Sequence, residues 1–132
     1  MSVVAERVSL SIAEAAEATG LTAHTLRYYE RDGLLLDNVD RAASGHRRYT
    51  EQDLGWIRLV TKLRATGMPV REIRLYADLV RAGEGNEDAR LALLRAHRDR
   101  VRAQLDEVAT HLLAIEGKIA VYEGTSDTCT SA

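Results

Sequence analysis

The sequence predicts a mainly α-helical chain in two parts: a domain of short helices that carries an extended wing, then one long helix that needs a partner. Three observations lead there. Capping signals and glycine stops recur at short intervals as far as Gly85, a polar stretch between Gly33 and Tyr49 interrupts the helical pattern once, and apolar residues from Leu91 to Tyr122 recur at spacings near three and four. The predicted divisions are residues 10–82, residues 86–123 and a flexible tail over 124–132.

Composition supports this reading and excludes several function classes. The 132 residues are 45% hydrophobic, with no Phe, one Trp and one Pro. So much Ala, Leu, Glu and Arg favours helix. A net charge of -2 argues against indiscriminate coating of nucleic acid or membrane, so any DNA binding must come from charge arranged locally. No apolar run is long enough to span a bilayer, and the N-terminus lacks a basic region followed by an apolar core, which predicts a cytoplasmic protein. Cys129 stands alone in a Thr, Ser and Asp tail. One thiol makes neither an internal disulfide nor a soft-metal site, and no cofactor or metal is expected.

Along the chain, Met1 to Ser9 reads as a loose leader. Ser11 and Glu14 then form the capping pattern S-x-x-E; Ile12, Ala15, Ala16 and Thr19 give a helical stripe, and Gly20 ends it. Thr22 caps a second helix almost at once, with Leu21 and Leu26 placed for a hydrophobic staple and Gly33 for a C-terminal stop. This close succession is helix-turn-helix spacing. In the second helix Leu26 and Tyr29 can face inward, while His24, Arg27, Tyr28 and Arg31 fall mostly on other faces. Arginine forks onto phosphate or onto the acceptor edge of guanine, so this is the composition of a recognition helix. A merely solvated charged face would account for Arg31 alone.

After Gly33 come Leu34 to Leu36, a polar loop, and the cluster His46, Arg47, Arg48 and Tyr49. Two short extended arms joined by a long turn make a wing, and its basic groups suit a phosphate backbone, where each neutralised charge releases counterions. Thr50 and Asp53 cap a third helix from about Glu51 to Thr66, with Trp56, Leu59, Val60 and Leu63 as its stripe. Trp56 reads as core. Gly67 stops that helix and Pro69 opens a fourth, whose inner stripe is Val70, Ile73, Ala77 and Val80.

Gly83, Glu84 and Gly85 form a linker and Asn86 can cap the long helix. Its seam runs Leu91, Leu94, Val101, Leu105, Val108, Leu112, Ile115, Ile119 and Tyr122, interrupted by Arg98. A helix from Asn86 to Glu123 is about 57 Å long. It cannot bury such a stripe against so small a domain, which makes a second copy of the chain the simplest partner. Leucines on one row and β-branched residues on the other reverse the arrangement that favours a parallel pair, so an antiparallel coiled-coil dimer is predicted.

The segments TLRYYERDGLL (Thr25 to Leu35), SGHRRYT (Ser44 to Thr50) and LRATGMPVREI (Leu63 to Ile73), followed by the heptad helix, resemble the MerR family of bacterial transcription regulators from Leu10 to Tyr122. The resemblance implies a winged helix-turn-helix domain joined to a dimerising antiparallel coiled coil, which binds a pseudo-palindromic promoter operator as a homodimer and distorts the DNA for RNA polymerase. It implies a recognition helix bearing Thr22, His24, Thr25, Arg27 and Tyr28. Arg47, Arg48 and Tyr49 would be wing contacts, and Arg64 would approach a phosphate. His46 stands where the family usually has tyrosine, a departure that would make a wing contact there pH-sensitive.

The cysteines of metal-sensing and redox members are missing, since Gly83 to Asn86 contains none and Cys129 is alone. Only Gly124 to Ala132 stands where drug-sensing members have a large domain, so a small-molecule effector either binds where the coil meets the DNA-binding domain or does not exist. Two other readings compete. A coiled-coil interaction module without DNA readout leaves Arg27, Tyr28, Arg47, Arg48 and Tyr49 without a role. An enzyme has little support, because His24, His46, His97 and His111 sit in no recognisable metal or nucleophile spacing.

Overall fold

The first helix, α1 (Ile12–Thr19), begins where a side chain and a backbone can satisfy each other. In the computed structural model, which describes residues 9–36, 40–41 and 47–124, with 40, 41 and 47 described through their backbone, the Glu14 N–H donates to Ser11 Oγ (3.2 Å) and the Ser11 N–H donates to Glu14 Oε1 (2.9 Å). His46, Cys129 and most of the predicted tail lie outside the described residues. The Ser11 N–H, then its hydroxyl and the Arg48 charge hold the Glu14 carboxyl below the usual carboxylate range. A carboxyl depressed by folding contributes stability above the unfolded range and loses it as pH falls through the folded value. Glu14→Gln is therefore expected to flatten the loss of stability on acidification, as read from urea unfolding at a series of acidic pH values. An acid limb as steep as that of the unmodified chain would contradict this.

Helix α2 (Ala23–Arg31) starts at Thr22, whose hydroxyl accepts from the Thr25 N–H at 3.0 Å, and it buries Leu26 and Tyr29. It ends in a Schellman turn: the Leu34 N–H donates to Tyr29 O (2.9 Å) and the Gly33 N–H to Glu30 O (3.3 Å), with Gly33 at φ +74°. An L side chain in that left-handed region costs about 1–2 kcal/mol. A Cβ at Gly33 meets only Arg74 Cδ, at 3.6 Å, so the backbone sets the penalty. Gly33→Ala should lower urea-unfolding stability by about that amount; an unchanged midpoint would show that the turn is not held at positive φ.

Three short strands accompany these helices: β1 (Ser9–Leu10) ahead of α1, then β2 (Asp40–Arg41) and β3 (Arg47–Thr50) after α2. They form an antiparallel sheet in the order β1-β3-β2, with Asp40 opposite Arg48 and Arg41 opposite Arg47 on one side of β3, and Leu10 opposite Tyr49 on the other. The β2-β3 pair forms the wing, but its first arm lies at Asp40–Arg41, within the stretch expected to be loop, whereas Leu34 to Leu36, expected as that arm, form no strand and Leu34 and Leu35 are buried in the core. The leader, expected to be loose up to Ser9, is instead anchored at its end. Arg48 Nη2 donates to Ser9 O (2.6 Å) and Arg48 Nε to Ser9 Oγ (3.3 Å), so a distant strand supplies what the local sequence lacks.

Helices α3 (Glu51–Ala65), α4 (Val70–Ala82) and α5 (Glu87–Glu123) complete the fold. The Thr50–Asp53 capping box forms as expected. The buried stripe of α3 is Leu54, Ile57, Val60 and Leu63, with Trp56 and Leu59 only partly buried beside it. With Leu26, Tyr29, Leu34, Tyr49, Met68 and Ile73 these residues make the core. At the turn from α3 to α4, Gly67 lies at φ +94° and the Met68 N–H returns to Leu63 O (2.9 Å). The chain divides into two compact units, one ending at Leu94 and one beginning at Arg95. Leu94 packs against the core of the first. In the second, His97 is buried and lies 3.4 Å from the Arg100 guanidinium, whereas every residue from Arg102 to Glu123 is exposed.

Candidate nucleic-acid interface

The apolar spacing of α2 fixes which of its polar residues face outward. Leu26 and Tyr29 are turned into the core, so His24, Arg27 and Arg31 emerge on the solvent side. Among the described residues no hydrogen bond or ion pair engages Arg27 or His24. Arginine carries its charge at any relevant pH and presents a planar fork, and here the fork is free to meet a ligand. Thr22 is exposed but committed: besides capping the helix, its hydroxyl donates to Thr25 Oγ1 at 3.0 Å. Both threonines therefore serve the start of α2 before they serve any ligand.

Tyr28 is half-buried and is the centre of a basic aromatic group. The Arg64 guanidinium lies over its ring at 5.2 Å and over the Tyr29 ring at 5.8 Å, and Arg31 approaches Tyr28 at 6.0 Å. Tyr28 and Tyr29 meet at 6.2 Å with their planes inclined by 55°. Cation–π contact holds each guanidinium in place without neutralising it, so the α3 end and the α2 face present a shared positive surface. Arg64 and Tyr28, far apart in sequence, are thus brought together. The Tyr29 hydroxyl is within hydrogen-bond distance of Thr61 Oγ1 (3.1 Å), which ties this group to α3.

The wing divides differently from the expectation. Side chains alternate along a strand, and in β3 the alternation turns Tyr49 fully inward, at 0% exposure. Tyr49 is a core residue and not a wing contact, a correction that follows from its pairing opposite Leu10. Arg48 stays at the surface but is half-buried, and its donors hold Ser9. The backbone of Arg47 pairs with that of Arg41 at the described end of the wing, and His46 is outside the described residues. A residue that the sequence reading passed over is Arg58, whose Nη2 donates to Ala18 O (3.3 Å) and steadies the end of α1. Only its exposed place on the otherwise apolar-backed α3 hints at that role.

No cluster of three or more His, Cys, Asp or Glu residues that could hold a metal occurs among the described residues. No described helix is long and apolar enough to cross a membrane.

Comparison with known proteins agrees with the geometry. Residues 10–79 match the MerR HTH family regulatory protein pattern, and residues 54–117 match the MerR DNA-binding pattern. The chain belongs to the MerR family.

MerR membership makes it a DNA-binding transcriptional regulator with a winged helix-turn-helix domain and a long C-terminal helix. It is 36% identical over 116 residues to an uncharacterised HTH-type transcriptional regulator of Haemophilus influenzae, covering 88% of this chain and 85% of that one. It is also 39% identical over 92 residues to the HTH-type transcriptional regulator AdhR of Bacillus subtilis, covering 70% of this chain and 65% of that protein. Among solved structures it is similar to HiNmlR, a MerR-family regulator lacking the sensor domain and bound to promoter DNA. That similarity has a TM-score of 0.80 and 35% identity, over 90% of this chain and 94% of that one. A MerR-family transcriptional regulator from Listeria monocytogenes superposes with a TM-score of 0.85 at 33% identity, over 92% of each chain.

Proposed function

We propose that this MerR-family chain acts as a homodimer that binds a pseudo-palindromic promoter operator and distorts the duplex so that RNA polymerase can use it. The observation that carries the reading is the unengaged Arg27 fork on the outer face of α2, flanked by the Tyr28–Arg64–Arg31 group. In this reading α2 enters the major groove. His24, Thr25 and Arg27 face base edges or phosphates, and Thr22 sets the helix start against the backbone. Tyr28 and Arg64 take a phosphate, and Arg47 with His46 carries the wing contact. Arg48 acts mainly by anchoring β1. That HiNmlR, to which the chain is similar, is bound to promoter DNA supports promoter binding as the function.

The partner for α5 is the same helix of a second chain, through Leu91, Val101, Leu105, Val108, Leu112, Ile115 and Ile119. Charge favours the antiparallel arrangement. Arg90, Arg95, Arg98, Arg100 and Arg102 outnumber Glu87, Asp88 and Asp99 in the first part of the helix, while Asp106, Glu107, Glu116 and Glu123 outnumber Lys118 further on. Opposed ends attract only when the two helices run in opposite directions. Two recognition helices and two wings then sit at a fixed spacing, and bending the 20–30 base pairs between them costs on the order of 1–6 kcal/mol, offset by phosphate contacts.

Such a regulator catalyses no reaction and works in the cytoplasm, where promoters are. The deciding experiment is selection of bound sequences from randomised duplex DNA. An inverted repeat supports the reading. Failure to retain any duplex at low salt favours a coiled-coil interaction module instead.

A further inference from the structure

The turn that leads from α2 into the wing is held by side chains from two other helices. From Asp32 to Leu35, each successive backbone carbonyl accepts a hydrogen bond. Arg74 Nη1 donates to Asp32 O (3.4 Å), Arg81 Nη2 to Gly33 O (3.2 Å), Trp56 Nε1 to Leu34 O (2.6 Å) and Arg81 Nη1 to Leu35 O (2.8 Å). The donors are themselves fixed. Arg81 Nη2 also pairs with Asp78 Oδ1 at 3.0 Å, and the Trp56 indole stacks on Tyr76 with ring centroids 5.5 Å apart and planes 17° apart.

Water could satisfy the carbonyls of a surface turn, and the Schellman bonds already close the end of α2. Side-chain donors from α3 and α4 add something that water cannot, which is position. Arg81 is the central member, because one planar guanidinium spans two carbonyls that are two residues apart and fixes their separation and direction. The cation also sits at the C-terminal end of α2, where the helix dipole favours positive charge.

We infer that Arg81, supported by Trp56 and Arg74, is a positioning residue for operator recognition: it sets the angle between the recognition helix and the wing without touching DNA. The inference rests on the DNA-binding reading above. Two contact sets on one rigid frame engage a duplex together, whereas a slack turn makes them independent and loses the gain from simultaneous engagement. Binding to arbitrary sequence depends on charge near phosphates and tolerates a slack frame. Loosening the clamp therefore lowers discrimination more than general affinity.

The test uses the full chain with Arg81→Gln and Arg81→Lys. The probes are the duplex that the unmodified protein selects from a randomised pool and a random duplex of equal length. Melting temperature and the emission of Trp56, the only tryptophan, are followed in parallel. Expected for Arg81→Gln is a loss of about tenfold on the selected duplex, little change on the random one, and a shifted Trp56 emission as the carbonyl under the indole moves. Arg81→Lys, with one point donor, should fall between it and the unmodified protein. An unchanged ratio between the duplexes overturns the inference, as does a parallel loss on both that follows the melting temperature. If Arg81→Gln does not fold, the ratios for Arg81→Lys and Arg74→Gln decide by the same criteria. Failure of the unmodified protein to select any duplex would sink the DNA-binding reading itself, whereas a normal ratio in the variants sinks the clamp alone.

Discussion

Arg27→Ala is expected to remove most of the preference for operator over random DNA while leaving the fold intact. Arg27 is exposed on α2 and no interaction among the described residues engages it, so truncation breaks no internal contact and should change stability by less than about 0.5 kcal/mol. A forked contact to a base edge discriminates by about 1–3 kcal/mol. A homodimer presents the residue at both half-sites, so the combined loss should be about 30-fold or more on the operator. On random duplex the loss should be a few-fold, because there the contribution is that of one positive charge per chain near phosphates. Arg27→Lys keeps the charge and loses the fork, so it should restore random binding without restoring the preference. Titration of both duplexes at several salt concentrations checks this. Equal losses on the two, with a shallower salt dependence, would assign Arg27 to the phosphate backbone instead.

The elements of this protein were legible wherever a local rule decided them. Ser11, Thr22 and Thr50 cap the helices they were expected to cap, because capping depends on residues within one turn. Helix α5 is the clearest case, since a sustained apolar period over many turns admits no strand. What escaped was set by partners distant in sequence. Strand β1 is two residues long, too short for any alternation to show, and exists because β3 and Arg48 lie beside it. The inward turn of Tyr49 depends on the phase of β3, which a run of His, Arg, Arg and Tyr does not reveal. Trp56 read as core because it is large and aromatic, whereas its indole N–H has a specific use against Leu34 O. The role of Arg81 is equally invisible along the chain, since its acceptors lie at Gly33 and Leu35.

Leu112→Glu should have the largest effect of any single change, by turning the proposed homodimer into monomers. The second unit leaves Leu105 at 63%, Leu112 at 49% and Ile115 at 57% exposure, a ridge that a lone helix would keep in water. Burying one such side chain contributes about 1.5–3 kcal/mol, and each dimer contains the position twice. A glutamate in its place forfeits that burial and adds the cost of desolvating an unpaired charge. The dimer should weaken by at least about 3 kcal/mol, more than a hundredfold in its dissociation constant. Light scattering with dilution would then report a monomer where the unmodified chain is expected to be a dimer. Helicity should fall with it, because a long helix stripped of its packing partner is only marginally stable in water. Operator affinity should drop by about 10²–10⁴, since the second half-site is no longer tethered to the first. Thr110→Glu places the same charge two residues away, off the seam, and should leave the dimer and its DNA binding unchanged. A Leu112→Glu chain that remained dimeric would mean that the copies associate through another surface, and the fixed spacing of the two recognition helices would need a different origin.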